Sequence, residues 1–259
     1  MEQSRSSIEQ QGIRIAAVSY DSQETLRGFA ERYHVGFPLL SDRDSAVIRA
    51  FGILNTNIAP GLRAHGVPHP VEYLVAPDGL VARRFFVPNY QHRVTASAVA
   101  LKEFGAVTGD ATVARVQSGA LTVEIGLSSS QAFAGQEVGF FAKFTLQPGW
   151  HIYGAPLPAS YTATSVTFDD PKVIQQSFEL PPAQPMHIAA LGETLPVYSG
   201  SFRGSGLLLL KFPLDAGPIT LSGQVRFQQC SDTICEPPEA LRFELPLTLE
   251  PFVVATPSK

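Results

Sequence analysis

Cysteine is nearly absent from this chain. Its 259 residues hold two, both inside Cys230-Ser231-Asp232-Thr233-Ile234-Cys235. With no third thiol a disulfide framework is excluded, and any redox chemistry must use this pair alone. Also missing is any apolar run of the ~18 residues that a membrane-spanning helix needs. The first residues, Met1-Glu2-Gln3-Ser4-Arg5-Ser6-Ser7, lack the apolar core of a secretory signal, so by themselves they predict a chain that stays in the cytoplasm. There is no basic run and no aromatic-basic stripe, and the net charge is −4, which argues against nucleic acid as a partner. The six histidines (His34, His65, His69, His92, His151, His187) show no ligand spacing, and two cysteines supply only half of a zinc site. Ser, His and Asp form no nucleophile-elbow pattern, so hydrolase chemistry has no support. Gly61 and Gly66 lie in a loop that makes no phosphate cradle. Asp169, Asp170, Glu236 and Glu239 read as solvated carboxylates, and Trp150 and His151 as ordinary strand residues.

What is present is enough apolar material for a core, with 44% hydrophobic and 16% charged residues. Residues 13–104 alternate strand and helix patterns. Ile13 to Ser19 suits a buried parallel strand. Asp21 or Ser22 can cap a helix whose apolar face is Leu26, Phe29, Ala30 and Tyr33. A short helix is expected from about Asp44 to Phe51, stopping at Gly52. Val71–Val75 and Leu80–Phe86 form a hairpin about Pro77-Asp78-Gly79. A last helix, about His92 to Phe104, buries Val94, Ala98 and Leu101. Beyond a small, polar segment the pattern changes to strands: Leu121–Leu127, Val138–Leu146, Ile219–Phe227 and Leu241–Leu249 alternate, with Pro and Gly between them. That spacing predicts an all-β sandwich or barrel.

Within the first half, Ile15-Ala16-Ala17-Val18-Ser19-Tyr20-Asp21-Ser22, Phe37-Pro38-Leu39-Leu40-Ser41-Asp42, Phe51-Gly52-Ile53, Gly66 to Tyr73 and Pro77-Asp78-Gly79 come in an order and spacing that resembles the alkyl-hydroperoxide-reductase/redoxin branch of the thioredoxin fold. The resemblance implies that Pro70, with Pro68 as the second choice, is the cis-proline beside that fold's active site. The family's reactive cysteine belongs to a turn upstream of residue 1, after a central strand that is also missing. The expectation is therefore a truncated α/β thioredoxin-like domain in a chain whose Met1 is an internal methionine; a degenerate redoxin that only packs is the alternative. Residues 1–107 contain no cysteine and do no thiol chemistry.

For the cysteine pair, spacing alone leaves a structural and a redox role equally open. Asp232 and Thr233 suit a turn that lets the sulfurs meet. A ring this short stabilises by only about 2 kcal/mol on the loop-entropy model, a weak motive in a domain with its own core. A redox role asks for one sulfur within reach of a partner thiolate.

The segment Val225-Arg226-Phe227-Gln228-Gln229-Cys230-Ser231-Asp232-Thr233-Ile234-Cys235-Glu236-Pro237-Pro238 resembles the cysteine segment of the N-terminal domain of the disulfide reductase DsbD. Gly149-Trp150-His151-Ile152-Tyr153 and Pro196-Val197-Tyr198-Ser199-Gly200 match two further strands of that domain. The resemblance implies a two-domain chain: an incomplete redoxin domain (1–107), a linker (108–118), an immunoglobulin-like sandwich (119–250) and a tail (251–259). It also implies an extracytoplasmic, periplasmic setting and thiol–disulfide interchange with thioredoxin-like proteins or protein disulfides, without a cofactor. By position, Cys235 would exchange with the partner and Cys230 would resolve the mixed disulfide, with Tyr153 near the pair. The family's shielding aromatic is missing from Met186–Pro196, which leaves Leu191 or Leu195 to cover the sulfurs. Two other readings stand beside this one: a binding sandwich with an inert disulfide, and a piece of a redoxin-type peroxidase or reductase.

Overall fold

A computed structural model describes residues 2, 5–62, 65–86, 93–107, 111–188 and 192–251. The chain is mostly β and divides into two compact units, Met1–Ala96 and Ser97–Lys259.

The first unit runs α1 (Arg5–Glu9), β1 (Ala17–Ser19), α2 (Gln23–Tyr33), β2 (Leu39–Ser41), α3 (Ala46–Ala50), β3 (Val71–Val75), β4 (Val81–Phe86) and β5 (Arg93–Val94). Ser22 caps α2 by accepting the Thr25 N–H at 3.2 Å. The helix ends at His34, which adopts the left-handed conformation (φ 52°). Asp42 serves α3, accepting the N–H groups of Val47 and Ile48 at 3.1 and 2.8 Å. Burial opposes ionisation of Asp42, but these backbone donors and that of Ala46 hold its carboxyl below the ordinary range. The Pro77-Asp78-Gly79 hairpin forms as expected, with Val71 opposite Phe86.

Two expectations for this unit fail. The strand expected from Ile13 to Ser19 shrinks to Ala17–Ser19 and is not buried: Val18 is 44% exposed and Leu40, its partner on β2, 50%. The reason lies in the pairing, since β1 joins only β2 and β3 only β4 among the described residues. Two two-stranded sheets cover little apolar surface, and α2 accordingly buries none of its residues. The second concerns Pro70. Among the described residues the cis peptide bonds are Ala155–Pro156 and Phe212–Pro213, so the bonds to Pro68 and Pro70 are trans. Pro68 bridges Leu54 and the His69 N–H bonds the Ile53 carbonyl at 2.7 Å, so extended pairing holds this segment up to the start of β3 at Val71.

The second unit takes in α4 (Ala96–Phe104) almost whole. The sequence pattern had grouped this helix with the first domain. It packs instead on β9, where a side chain at Gly139 would lie only 3.0 Å from Ala98 and Leu101. Its strands are β6 (Val113–Ser118), β7 (Leu121–Leu127), β8 (Gln131–Ala132), β9 (Gln136–Leu146), β10 (His151–Tyr153), β11 (Ser165–Phe168), β12 (Val173–Glu179), β13 (Gln184–Ile188), β14 (Glu193–Ser199), β15 (Ser201–Leu210), β16 (Gly217–Phe227), β17 (Gln229–Cys230) and β18 (Glu239–Leu249). Residues 113–118, expected in a linker, are thus a strand paired with β7.

One sheet has the order β12-β15-β9-β7-β6 and another β11-β16-β18-β8. Both send every second side chain into one core, which holds Phe140, Phe144, Leu208, Leu221, Phe227, Leu245 and their neighbours. Fully burying each such side chain contributes roughly 1.5–3 kcal/mol. Gly206 sits between Phe140 and Phe178 on the flanking strands, and the two rings stack across it at 5.4 Å. Asp170, read from the sequence as solvated, is 6% exposed and paired with Lys172 Nζ at 2.8 Å. A third sheet, β13-β14-β10-β17, carries the cysteines.

Candidate functional site: a half-buried disulfide

The short strand β10 lies between β14 and β17, with His151 opposite Cys230 and Ile152 opposite Gln229. Alternation sends Ile152 into the main core and His151 and Tyr153 to the other face, where Cys230 also points. A second, small core forms there from Tyr153, Ile188, Leu195, Val197 and Cys230, with Leu157, Tyr161 and Met186 packed against it.

Cys230 is bonded to Cys235. Between them Ser231 organises the turn: its N–H bonds the Ile234 carbonyl at 2.8 Å, and its hydroxyl accepts the N–H groups of Thr233 and Ile234 at 3.3 and 3.2 Å. Two glutamines hold the flanks. Gln229, 1% exposed, accepts the Ala120 N–H at 3.1 Å and donates to Glu236, while Gln228 accepts the Thr162 N–H at 3.1 Å and donates to the Glu236 carbonyl at 3.2 Å. A side chain at Gly119 would collide with the Gln229 amide, and the residue needs φ +52° for its turn; glycine meets both demands. Glu236 and Glu239, expected to be solvated, both have partners; Ser118 donates to Glu239 at 2.6 Å.

The two sulfurs differ sharply. Cys230 is 0% exposed, whereas Cys235 stands at the surface. The Tyr153 hydroxyl, itself fully buried, donates toward both, 3.2 Å from Cys230 Sγ and 3.6 Å from Cys235 Sγ. Thr164 fixes the tyrosine by donating both its N–H and its hydroxyl to the Tyr153 carbonyl, each at 2.8 Å. Burial raises the Tyr153 pKa, and the neighbouring Tyr161 and Glu193 raise it further, so the phenol stays a protonated donor. The Tyr161 ring lies 5.2 Å away and its hydroxyl donates to Glu193 at 3.1 Å. His151 is 2% exposed; burial lowers its pKa, and the charge of Asp232 partly opposes that.

Tyr153 and Leu195 are thus gathered with the cysteines, Leu195 as a buried wall at 4% exposure. Leu191 lies outside the described residues, and Pro70 belongs to the first unit. Tyr161, Gln228, Gln229 and His151 had not been singled out for the site. Only the parity of 151 with 153 along one strand hinted at any of them.

Residues 126–247, which include every one of these groups beyond Ala120, match the family model of the thiol:disulfide interchange protein DsbD, N-terminal. The second unit resembles a DsbD N-terminal domain. Residues 1–84 match the AhpC/TSA family. Peroxiredoxin Bcp of Escherichia coli K12 is 31% identical over 78 residues, 30% of this chain and 49% of that protein, and a putative peroxiredoxin bcp of Shigella flexneri matches equally. The chain spans about half the length of the curated relatives it matches. Among solved structures, the N-terminal periplasmic domain of ScsB from Proteus mirabilis aligns with 54% of this chain and 52% of its own, at 17% identity and TM-score 0.42. The reduced DsbD N-terminal domain of Neisseria meningitidis aligns with 54% of this chain and 91% of its own, at 12% identity and TM-score 0.28. Among the described residues no helix is long and apolar enough to cross a membrane. The likeness to the DsbD family model suggests thiol–disulfide interchange, and a cysteine pair at disulfide distance is present.

Proposed function

We propose that the second unit, an immunoglobulin-like sandwich, relays electrons by dithiol–disulfide exchange through Cys230 and Cys235, to or from thioredoxin-like proteins or protein disulfides. The observation that carries this reading is the asymmetry of the pair: one cysteine at the surface, the other buried beneath a tyrosine hydroxyl. A partner thiolate has access only to Cys235 Sγ. Its attack forms a mixed disulfide and breaks the Cys230–Cys235 bond, and Cys230 leaves as a thiolate stabilised by the Tyr153 O–H. A second partner thiolate then attacks its own sulfur in the mixed disulfide and releases Cys235. One disulfide and two thiols become two thiols and one disulfide. In the opposite direction Cys235 attacks a substrate disulfide and Cys230 resolves it.

The DsbD resemblance supports an extracytoplasmic setting for this exchange. No other thiol exists in the chain, so the electrons come from or go to a separate protein or domain.

The test is a titration of the pair against glutathione and dithiothreitol, followed by mixing the Cys230→Ser variant with the disulfide form of a thioredoxin. A potential above about −300 mV, in the range of exchanging rather than structural disulfides, is expected. A mixed disulfide on Cys235 is expected as well. A markedly lower potential with no mixed disulfide would establish an inert structural bond.

A further inference from the structure

His151 occupies an expensive position that the exchange scheme above leaves unused. It is 2% exposed, and its Nε2 is buried with no hydrogen-bond partner among the described residues. An orphaned polar atom in a packed interior calls for an explanation. The register supplies one. His151 faces Cys230 directly across the β10–β17 pair, where opposing Cβ atoms lie about 4.5–5.5 Å apart on a shared face. In the disulfide form Cys230 carries no proton. Once it is reduced, its S–H becomes a donor, and the imidazole opposite it in the strand register is an acceptor on the same face.

Resting on the exchange reading, we infer that His151 is the proton acceptor for Cys230 in the step that resolves the mixed disulfide. The neutral imidazole takes the Cys230 proton, Cys230 Sγ attacks Cys235 Sγ, the Cys230–Cys235 bond forms, and the substrate sulfur departs as a thiolate. In the reverse direction Cys230 departs as the thiolate held by the Tyr153 hydroxyl, and its protonation through the imidazole follows bond cleavage. Burial keeps the imidazole neutral at pH 7, the form that accepts a proton. The other titratable groups about it are few. Asp232, on the loop between the cysteines, favours the imidazolium formed on transfer. Tyr153 presents its ring at 5.8 Å and remains a protonated phenol, with Tyr161 and Glu193 behind it; Ser199, opposite on β14, does not titrate.

Stopped-flow mixing of the reduced protein with 5,5′-dithiobis(2-nitrobenzoate) separates the two steps. The first thionitrobenzoate released reports attack by Cys235, and the second reports resolution by Cys230. In the native protein the second phase should reach its plateau with a midpoint below pH 6.5, the ordinary histidine value. In His151→Phe the second phase should be about a hundredfold slower at pH 7, at the low end of what a positioned base contributes, and should climb with pH toward the thiol's own pKa. The first phase should not change. A native second phase that still climbs tenfold per pH unit between 7 and 8 overturns the inference, and so does an unchanged profile in His151→Phe. Should that variant not fold, the native profile decides alone. If the native protein never releases a second equivalent, Cys230 does not resolve, and the exchange reading falls together with this one. A second phase that appears but ignores His151 overturns only the role of the histidine.

Discussion

Tyr153→Phe removes one oxygen and keeps the ring. The hydroxyl sits 3.2 Å from Cys230 Sγ and 3.6 Å from Cys235 Sγ, and these sulfurs are its hydrogen-bond partners. To a disulfide sulfur this bond is weak. As the S–S bond breaks, the fully buried Cys230 gains a negative charge, and the same O–H becomes a charge-assisted donor worth roughly 1.5–3 kcal/mol. Each 1.36 kcal/mol is tenfold in rate, so reduction by dithiothreitol should slow by about 10- to 150-fold. The assay is quenched-flow reduction followed by alkylation and mass analysis, with thermal unfolding of the oxidised forms alongside. Stability should move by about 1 kcal/mol or less, because the phenyl ring still fills the small core. Equal reduction rates for Tyr153→Phe and the native protein, at equal melting temperatures, would refute the reasoning. The hydroxyl would then be a packing accessory that does not sense charge on the sulfur.

Three further outcomes follow from other parts of the second unit. Phe144→Ala empties a fully buried site stacked on Phe202, and should cost about 3–5 kcal/mol in urea unfolding. Gln229→Ala leaves the Ala120 N–H without its acceptor and frees the flank of the cysteine loop; it should cost about 1–3 kcal/mol and raise hydrogen exchange at Ala120. For Asp170, burial opposes ionisation, but the ammonium and N–H of Lys172 and the N–H of Ser222 lower its pKa below 3.8. The folded state therefore holds this proton less tightly than the unfolded chain. The stabilisation is complete above the unfolded pKa and fades as the pH falls toward the folded value. Urea unfolding of Asp170→Asn between pH 7 and pH 2 should lack that part of the acid loss.

The four strands expected in the second half formed because their sequences already alternate: Leu245, Leu247 and Leu249 cannot face inward unless Glu244, Pro246 and Thr248 face out. Strand β15 hid behind Gly204 and Gly206, which look like loop residues until the rings that cross them are in place. The helix of the first unit was legible through the Ser22 cap and its apolar spacing, yet the expected burial did not follow. Local pattern shows which face is apolar; whether anything covers that face is a matter of tertiary pairing. Asp170 reads as an ordinary surface acid in sequence, and its burial depends on Lys172 and on Ser222, fifty-two residues away.

By itself the sequence determined the two-part organisation of patterns, the sandwich strands and the pair of cysteines as the site of any redox chemistry, because periodicity and composition are local properties of the chain. Only the tertiary structure decided which sulfur is buried and which is open, and that a phenol and an unpartnered imidazole meet the buried one. Those facts depend on the register of β10 against β17, which joins residues nearly eighty positions apart. Strand register is set by how side chains fit the shared core, and no local pattern carries that information.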